Sequence, residues 1–301
     1  MRRAEPDDQA AGLRRLLGKQ NTFRPAGLFG PDAGLNAAAA AGIGCALSLR
    51  GGKICLLDEA PGPHNVAGQL GLTPRYGLAD VARGDQTLAD ALIAIPDGPY
   101  LLRAEQGLAR VSQADDRLWS RLADHFAAGS WEWLLLAAPA DERASLGLAA
   151  PLRILVLPAA KSRLTEAYAV LKAAHHKQSD AVWLALFMNA ADDERTEQLM
   201  AALNETTQRF LGIEIGLLGA VPKDAKLDLA IRSMRPIHQV SPSAPAAMAF
   251  RQVAERLHED RRVPDAGMNA KVFWQRLGLF SRLNNQPRHQ TTRNVQHGRA
   301  Y

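Results

Sequence analysis

A chain of 301 residues with 47% apolar and 22% charged side chains reads as globular, with a sizeable buried core. Its opening, MRRAEPDDQAAGLRR, lacks an apolar h-region, and no stretch reaches the ~18 uninterrupted apolar residues of a membrane span, which argues against a secretory signal and a spanning helix. The net charge of +5 is uneven: from Arg251 onward ten Lys and Arg face four Asp and Glu, whereas 26 face 27 before it. Past Gly267 there are six cations and no acid, so the basic end points to an anionic surface rather than to a basic catalytic groove.

In chain order, residues 1–20 carry a short charged helix pattern, with Leu13, Leu16 and Leu17 on one side and Arg14 and Arg15 on the other. Residues 21–265 alternate apolar runs with helical patterns, which predicts an α/β fold with a doubly wound, mostly parallel sheet flanked by helices. The clearest strand candidates are Lys53–Leu57, Tyr100–Arg103, Trp133–Ala137, Arg153–Leu157 and Val182–Phe187. The best amphipathic helix runs from Arg163 to Ala174. His175 and His176 follow it as a helix end, where cations are favourable. Cys45 and Cys55 show no metal spacing and read as buried thiols of a reducing cytosol, and no HExxH or metal cluster occurs.

Residues 266–301 open with a helix pattern, MNAKVFWQRLGLFSRLNNQ, and end polar. Val272, Phe273, Leu277, Leu279, Phe280 and Leu283 share one broad face, with Arg276 inside the apolar arc. Basic residues with Phe273 and Trp274 make a membrane-surface pattern, so Val272, Phe273, Trp274, Leu277 and Phe280 are the membrane-contact candidates. The competing reading is a terminal helix docked on the protein's own sheet.

The most informative stretch is GLFGPDAGLNAAAAAGIG, Gly27 to Gly44. Its glycines, small residues and following apolar strand ending in Asp58 have the layout of a phosphate-binding loop and its helix. Yet between Pro25 and Leu47 there is no Lys, Arg, Ser or Thr.

DQAAGLRRLL (8–17), KICLLDEAPGPHNVAGQLGL (53–72), YGLADVARGDQTLADAL (76–92), LTEAYAVLK (164–172), FLGIEIGLLGAVPKD (210–224) and SPSAPAAMAFRQVAERL (241–257) keep the motif order of one family. The chain resembles the FlhG/FleN-type regulators of flagellar number and placement, a branch of the MinD/ParA deviant Walker ATPases. The resemblance covers nearly the whole chain and implies a deviant Walker P-loop fold. It lays the family's GKGGVGKT loop on Gly30, Pro31, Asp32, Ala33, Gly34, Leu35, Asn36 and Ala37, so that both lysines and the magnesium-ligating hydroxyl are gone and an acid has entered. The family's paired acids after the second strand leave only Asp58, followed by Glu59 and Ala60. Ala137 stands where the metal-side aspartate belongs, and Phe187 near the base-contacting asparagine, with Asn189 two residues on.

Each lost charge-assisted hydrogen bond is worth roughly 1.5–3 kcal/mol, so losing two lysines and the metal grips costs on the order of a thousandfold in triphosphate affinity. The resulting expectation is a non-hydrolysing protein with no cofactor, whose degenerate loop comprises Gly30, Asp32, Gly34, Asn36, Asp58 and Ala137. The alternatives are an active ATPase that recruits Lys19, Arg24 or Lys53 from outside the loop, and a polar-positioning scaffold for other cargo. The resemblance further implies an N-terminal activator helix, in which Asp8, Gln9, Leu13 and Arg14 engage an FlhF-like GTPase and Gln9 positions the attacking water in trans. It implies a cytoplasmic protein, peripheral at the inner membrane face through an amphipathic C-terminal helix, with flagellar basal-body or transcription-factor components as further partners. No helix-turn-helix or aromatic-basic interleaving predicts direct nucleic-acid binding.

Overall fold

The computed structural model describes residues 23–105, 116–139, 145–177, 179–260, 262–263 and 269–285, with side chains of the last helix described as far as Leu279. Asp8, Gln9, Leu13, Arg14 and Lys19 lie outside the described residues.

The elements follow as β1 (Arg24–Phe29), α1 (Ala33–Leu49), β2 (Ile54–Asp58), α2 (Val66–Gln69), α3 (Leu78–Arg83), α4 (Leu88–Ala91), β3 (Leu92–Ala94), β4 (Tyr100–Arg103), α5 (Asp116–Ala128) and β5 (Trp133–Ala137). After a 3₁₀ turn at Leu146–Ala149 come β6 (Leu152–Pro158), α6 (Leu164–Lys177), β7 (Val182–Ala190), α7 (Asp193–Leu211), β8 (Gly216–Pro222), α8 (Ala225–Arg232), α9 (Ile237–Val240), α10 (Pro245–Glu259) and α11 (Ala270–Asn285). One sheet runs β3-β4-β2-β5-β1-β6-β7-β8, and every neighbouring pair but β3–β4 is parallel. This is the doubly wound architecture expected from the alternation of apolar runs and helices.

Parallel strands covered on both faces read as unbroken apolar runs. Every residue of β2 (ICLLD) and β5 (WLLLA) is buried. The sheet's first crossover carries β1 through α1 to β2 on one side, and β6 flanks β1 on the other. β1 is therefore the topological switch point, and the rim beyond its C-terminal end is where such sheets place their ligands. Ala37 to Ala41 are all buried, so α1 is enclosed on all sides rather than amphipathic.

The last helix corrects the lipid-facing reading of its apolar face. Phe273, Trp274 and Leu277 are completely buried, in a cluster with Phe23, Trp119 and Phe126. The Trp274 and Phe126 rings stand 5.0 Å apart, and Phe273 is 5.9 Å from Phe23. Gly278 allows the closest approach, since a Cβ there would lie 2.9 Å from the Trp119 ring. The physical reason is that α5 offers an aromatic surface to which the same face is complementary. Val272 alone of the membrane candidates is described as exposed, and the Phe280 side chain lies outside the described residues. Arg276, the misfit in the apolar arc, pairs with Asp180 at 2.9 Å. Among the described residues no helix is long and apolar enough to cross a membrane.

Candidate functional site

At the rim of β1 the chain turns through Gly30 into α1. Only glycine fits at this turn, because a Cβ on Gly30 would fall 2.3 Å from the Val156 carbonyl oxygen of β6. Asp32 then caps α1: its carboxylate accepts from the Leu35 N–H at 3.0 Å. A helix N-terminus attracts anions through its free N–H groups and its dipole, and here the chain's own carboxylate takes that place.

Asn36, 2% exposed, sits one turn into α1. Its Nδ2 donates to the Leu28 carbonyl at 3.1 Å and to the Ala138 carbonyl at 2.9 Å, so one amide ties the ends of β1 and β5 together. Gly34 is held from outside the loop: Gln69 Nε2 of α2 donates to its carbonyl at 2.7 Å. Asp58, at the end of β2, accepts the Ala67 N–H at 2.8 Å and so fixes the start of α2. Burial pushes its carboxyl up to about 6, against hydrogen bonds that favour the charged form. Ala137 is buried opposite both Leu28 and Asp58.

The sequence drew attention to Asp58, Glu59 and Ala60 as remnants of an acidic pair, but not to what Glu59 does. Glu59 is fully buried, points to the other face of the sheet, accepts the Ser145 hydroxyl at 3.0 Å and the Leu146 N–H at 2.8 Å, and anchors the turn before β6. Burial pushes its carboxyl up to about 8. Gln69 was missed altogether. Its signal was the QLGL that closes one of the family-like stretches, and only the fold brings it onto Gly34.

Six sequence-derived residues thus converge on one rim: Gly30, Asp32, Gly34, Asn36, Asp58 and Ala137. The side-chain donors described at the site, Asn36 Nδ2 and Gln69 Nε2, are engaged internally, and the buried side-chain atoms that lack partners there are Asn36 Oδ1 and Asp58 Oδ1. Both are acceptors, the wrong polarity for phosphate oxygens. The residues present therefore do not fit a magnesium-bound triphosphate held in the manner of a phosphate loop. Two of the three cations that could substitute are also removed: Arg24 opens β1 and stacks 5.5 Å from the Trp133 ring, and Lys53 precedes β2 and sits 4.3 Å from the Trp131 ring. Both lie at the opposite end of the strands, a six-residue strand length of about 17 Å from the loop. On the rim itself, Lys161 and Arg163 follow β6, and Arg163 is engaged by Glu166 at 2.9 Å. Phe187 is buried in β7, whereas Asn189 is exposed with a left-handed backbone (φ 59°) at the end of that strand.

The fold matches solved structures of MinD: TM-score 0.59 and 19% identity to MinD of Pyrococcus furiosus, covering 78% of this chain and 98% of that one. For MinD in the MinC:MinD complex of Aquifex aeolicus the values are 0.60 and 23%, covering 79% and 96%. No family model matches the chain. In sequence it is 28% identical over 220 residues to the antiactivator FleN of Pseudomonas aeruginosa, covering 71% of this chain and 79% of that protein. The chain has the MinD/ParA fold and, over most of its length, is similar in sequence to FleN. Within the MinD/ParA fold its β1–α1 turn occupies the phosphate-loop position. MinD of Pyrococcus horikoshii, solved with Mg-ADP, shares the fold at TM-score 0.58 and 22% identity.

Proposed function

We propose that this protein is a regulator of flagellar number or placement that acts by binding partners rather than by turning over ATP. The similarity to FleN supports the flagellar assignment. The Asn36 amide carries the second half of the reading: it bridges Leu28 and Ala138 at the heart of the loop, where a hydrolysing relative needs donors aimed outward. Asp32 at the helix start adds repulsion toward a polyanion. Phosphoryl transfer depends on positioning and charge stabilisation, and neither is supplied by this set of residues.

The α2 segment, bonded to the loop through Gln69 and Asp58, is held in one arrangement without a ligand. A nucleotide-independent conformation would make the protein a constant binding platform. Its proposed partner is an FlhF-like GTPase engaged through Asp8, Gln9, Leu13 and Arg14, in a cytoplasmic protein.

Isothermal titration with ATP and Mg²⁺ is expected to show no binding in the micromolar range, and phosphate release is expected to stay at background. Micromolar binding, or turnover abolished by Lys161→Ala, would overturn the reading. Stimulation of the cognate GTPase that survives Gln9→Ala would remove the proposed partner mode.

A further inference from the structure

β8 closes one edge of the sheet, pairing with β7 on one side. Uncovered edges are templates for a further strand, and proteins block them unless they are used. Both ends of this one are blocked. Asn204 bonds the N–H and the carbonyl of Ile215 at 2.8 and 3.0 Å, and Arg256 Nη1 donates to the Leu218 carbonyl at 3.0 Å. Pro222 ends the strand. Between them, among the described residues, no side chain is hydrogen-bonded to the segment from Gly219 to Val221.

Gly219 and Ala220, with Pro222 after them, form the floor of a trench, while Val221 is fully buried. Two cavities of about 400 and about 270 Å³ run into one another along it, sharing Asp193, Ala220, Ala249 and Gln252. α7 and α10 cover opposite faces of the sheet, packing in separate core clusters, and residues of both line the two cavities beside β8. The small side chains of Gly219, Ala220 and Ala249 keep the floor shallow enough for a backbone to approach.

The two walls differ in chemistry. On α7, Asp193 and Glu197 stand one turn apart facing the trench, and among the described residues neither has an ion-pair or hydrogen-bond partner. On α10 the wall is mixed: Met248 is 45% exposed with Val253 beneath it, Gln252 lies along both cavities, and Arg256 stands at one end with its guanidinium turned to the Leu218 carbonyl. A strand lying between them would present alternate side chains to each wall.

We propose that the β8 edge binds an extended peptide by strand addition, with basic side chains toward Asp193 and Glu197 and apolar ones toward Met248 and Val253. Backbone hydrogen bonds to Gly219 and Ala220 supply affinity, and the two walls supply sequence preference. A second copy of this chain is the wrong occupant, because its own Asp193 and Glu197 would meet the same two acids.

The probe is a fluorescein-labelled heptapeptide of alternating lysine and valine, measured by anisotropy with the full chain. It is expected to bind at least about tenfold more tightly than the glutamate–valine peptide and than a lysine–valine peptide with one central proline. The proline peptide keeps the charge but cannot complete a strand. Asp193→Lys combined with Glu197→Lys should reverse the preference to the glutamate peptide. Ala220→Arg, which fills the trench and neutralises its wall, should abolish binding without changing the thermal midpoint. Equal binding of the proline peptide, an unreversed preference in the double variant, or self-association that Ala220→Arg removes would each overturn the proposal.

Discussion

The rim of β1 and the edge of β8 are built from the same kinds of residue, glycine, alanine and acid, yet they use them in opposite ways. At the rim Asp32 caps a helix, Asn36 ties two strands, Gln69 holds a glycine carbonyl and the glycine is packed against β6. At the edge the acids Asp193 and Glu197 meet open space, and Gly219 and Ala220 leave room rather than fill it. Binding capacity follows which polar groups are left without internal partners, and by that measure the edge offers more side-chain groups than the rim. At the rim the polar side chains Asp32, Asn36 and Gln69 bond to the protein's own backbone.

The comparison breaks first at Asn36. Asn36→Ala removes both strand ties. Leu28 O keeps the Ala138 N–H at 3.0 Å, but among the described residues the Ala138 carbonyl loses its partner. A buried acceptor left unsatisfied costs about 1–3 kcal/mol, and the void beside the alanine run adds to it. A loss of about 2–3 kcal/mol in chemical denaturation is expected. A loss below about 0.5 kcal/mol would show that Asn36 is not structural and would reopen the rim to a ligand.

The next effect is pH-dependent and belongs to Glu59. Its carboxyl is pushed from the ordinary 4.5 to about 8, so the folded state holds a proton that the unfolded state releases. Stability from this group is therefore fully present below about pH 4.5 and declines as the pH rises toward about 8. Glu59→Gln keeps an acceptor for the Leu146 N–H and a donor for Ser145, and it removes the titration. A tenfold change in proton affinity corresponds to about 1.4 kcal/mol, so the variant should gain about 2 kcal/mol on wild type between about pH 6 and about pH 8. Parallel stability–pH curves for the two proteins would mean that ionisation of the buried carboxyl is compensated by groups elsewhere in the fold.

Much of the fold was legible because burial on both faces writes itself into sequence: WLLLA, and the run Lys53–Leu57 observed as a strand one residue later at Ile54–Asp58, read as buried parallel strands. The helix predicted over 163–174 is α6, extended by one turn through His175 and His176. The rim was legible residue by residue, because the glycine spacing and the missing cations survive in the linear order. Three things were not. The Gln69–Gly34 bond joins positions 35 residues apart, with no local pattern to announce it. A helical wheel shows that α11 has an apolar face but not what covers it, and α5 supplies the cover. The β8 trench depends on strand order, since an edge exists only once the sheet is assembled.

The smallest expected effect separates the two regions most cleanly, because it sets one acid against another. Asp32 is an N-cap whose carboxylate accepts a backbone N–H, and losing such a cap costs about 1 kcal/mol. Glu197 lies beyond the first turn of α7, where the helix dipole has faded, and among the described residues it has no partner to lose. Asp32→Ala should therefore lower stability by about 1 kcal/mol, while Glu197→Gln should stay within about 0.5 kcal/mol of wild type. Differential scanning calorimetry of the two variants at one pH and salt concentration reads both. Equal losses would mean that Glu197 is held by the fold like Asp32, and an acid held by its own protein is not free to choose a peptide. A neutral Glu197→Gln that nonetheless weakens the lysine–valine peptide would put the residue's contribution in binding and not in folding, which is the distinction between the two regions in a single side chain.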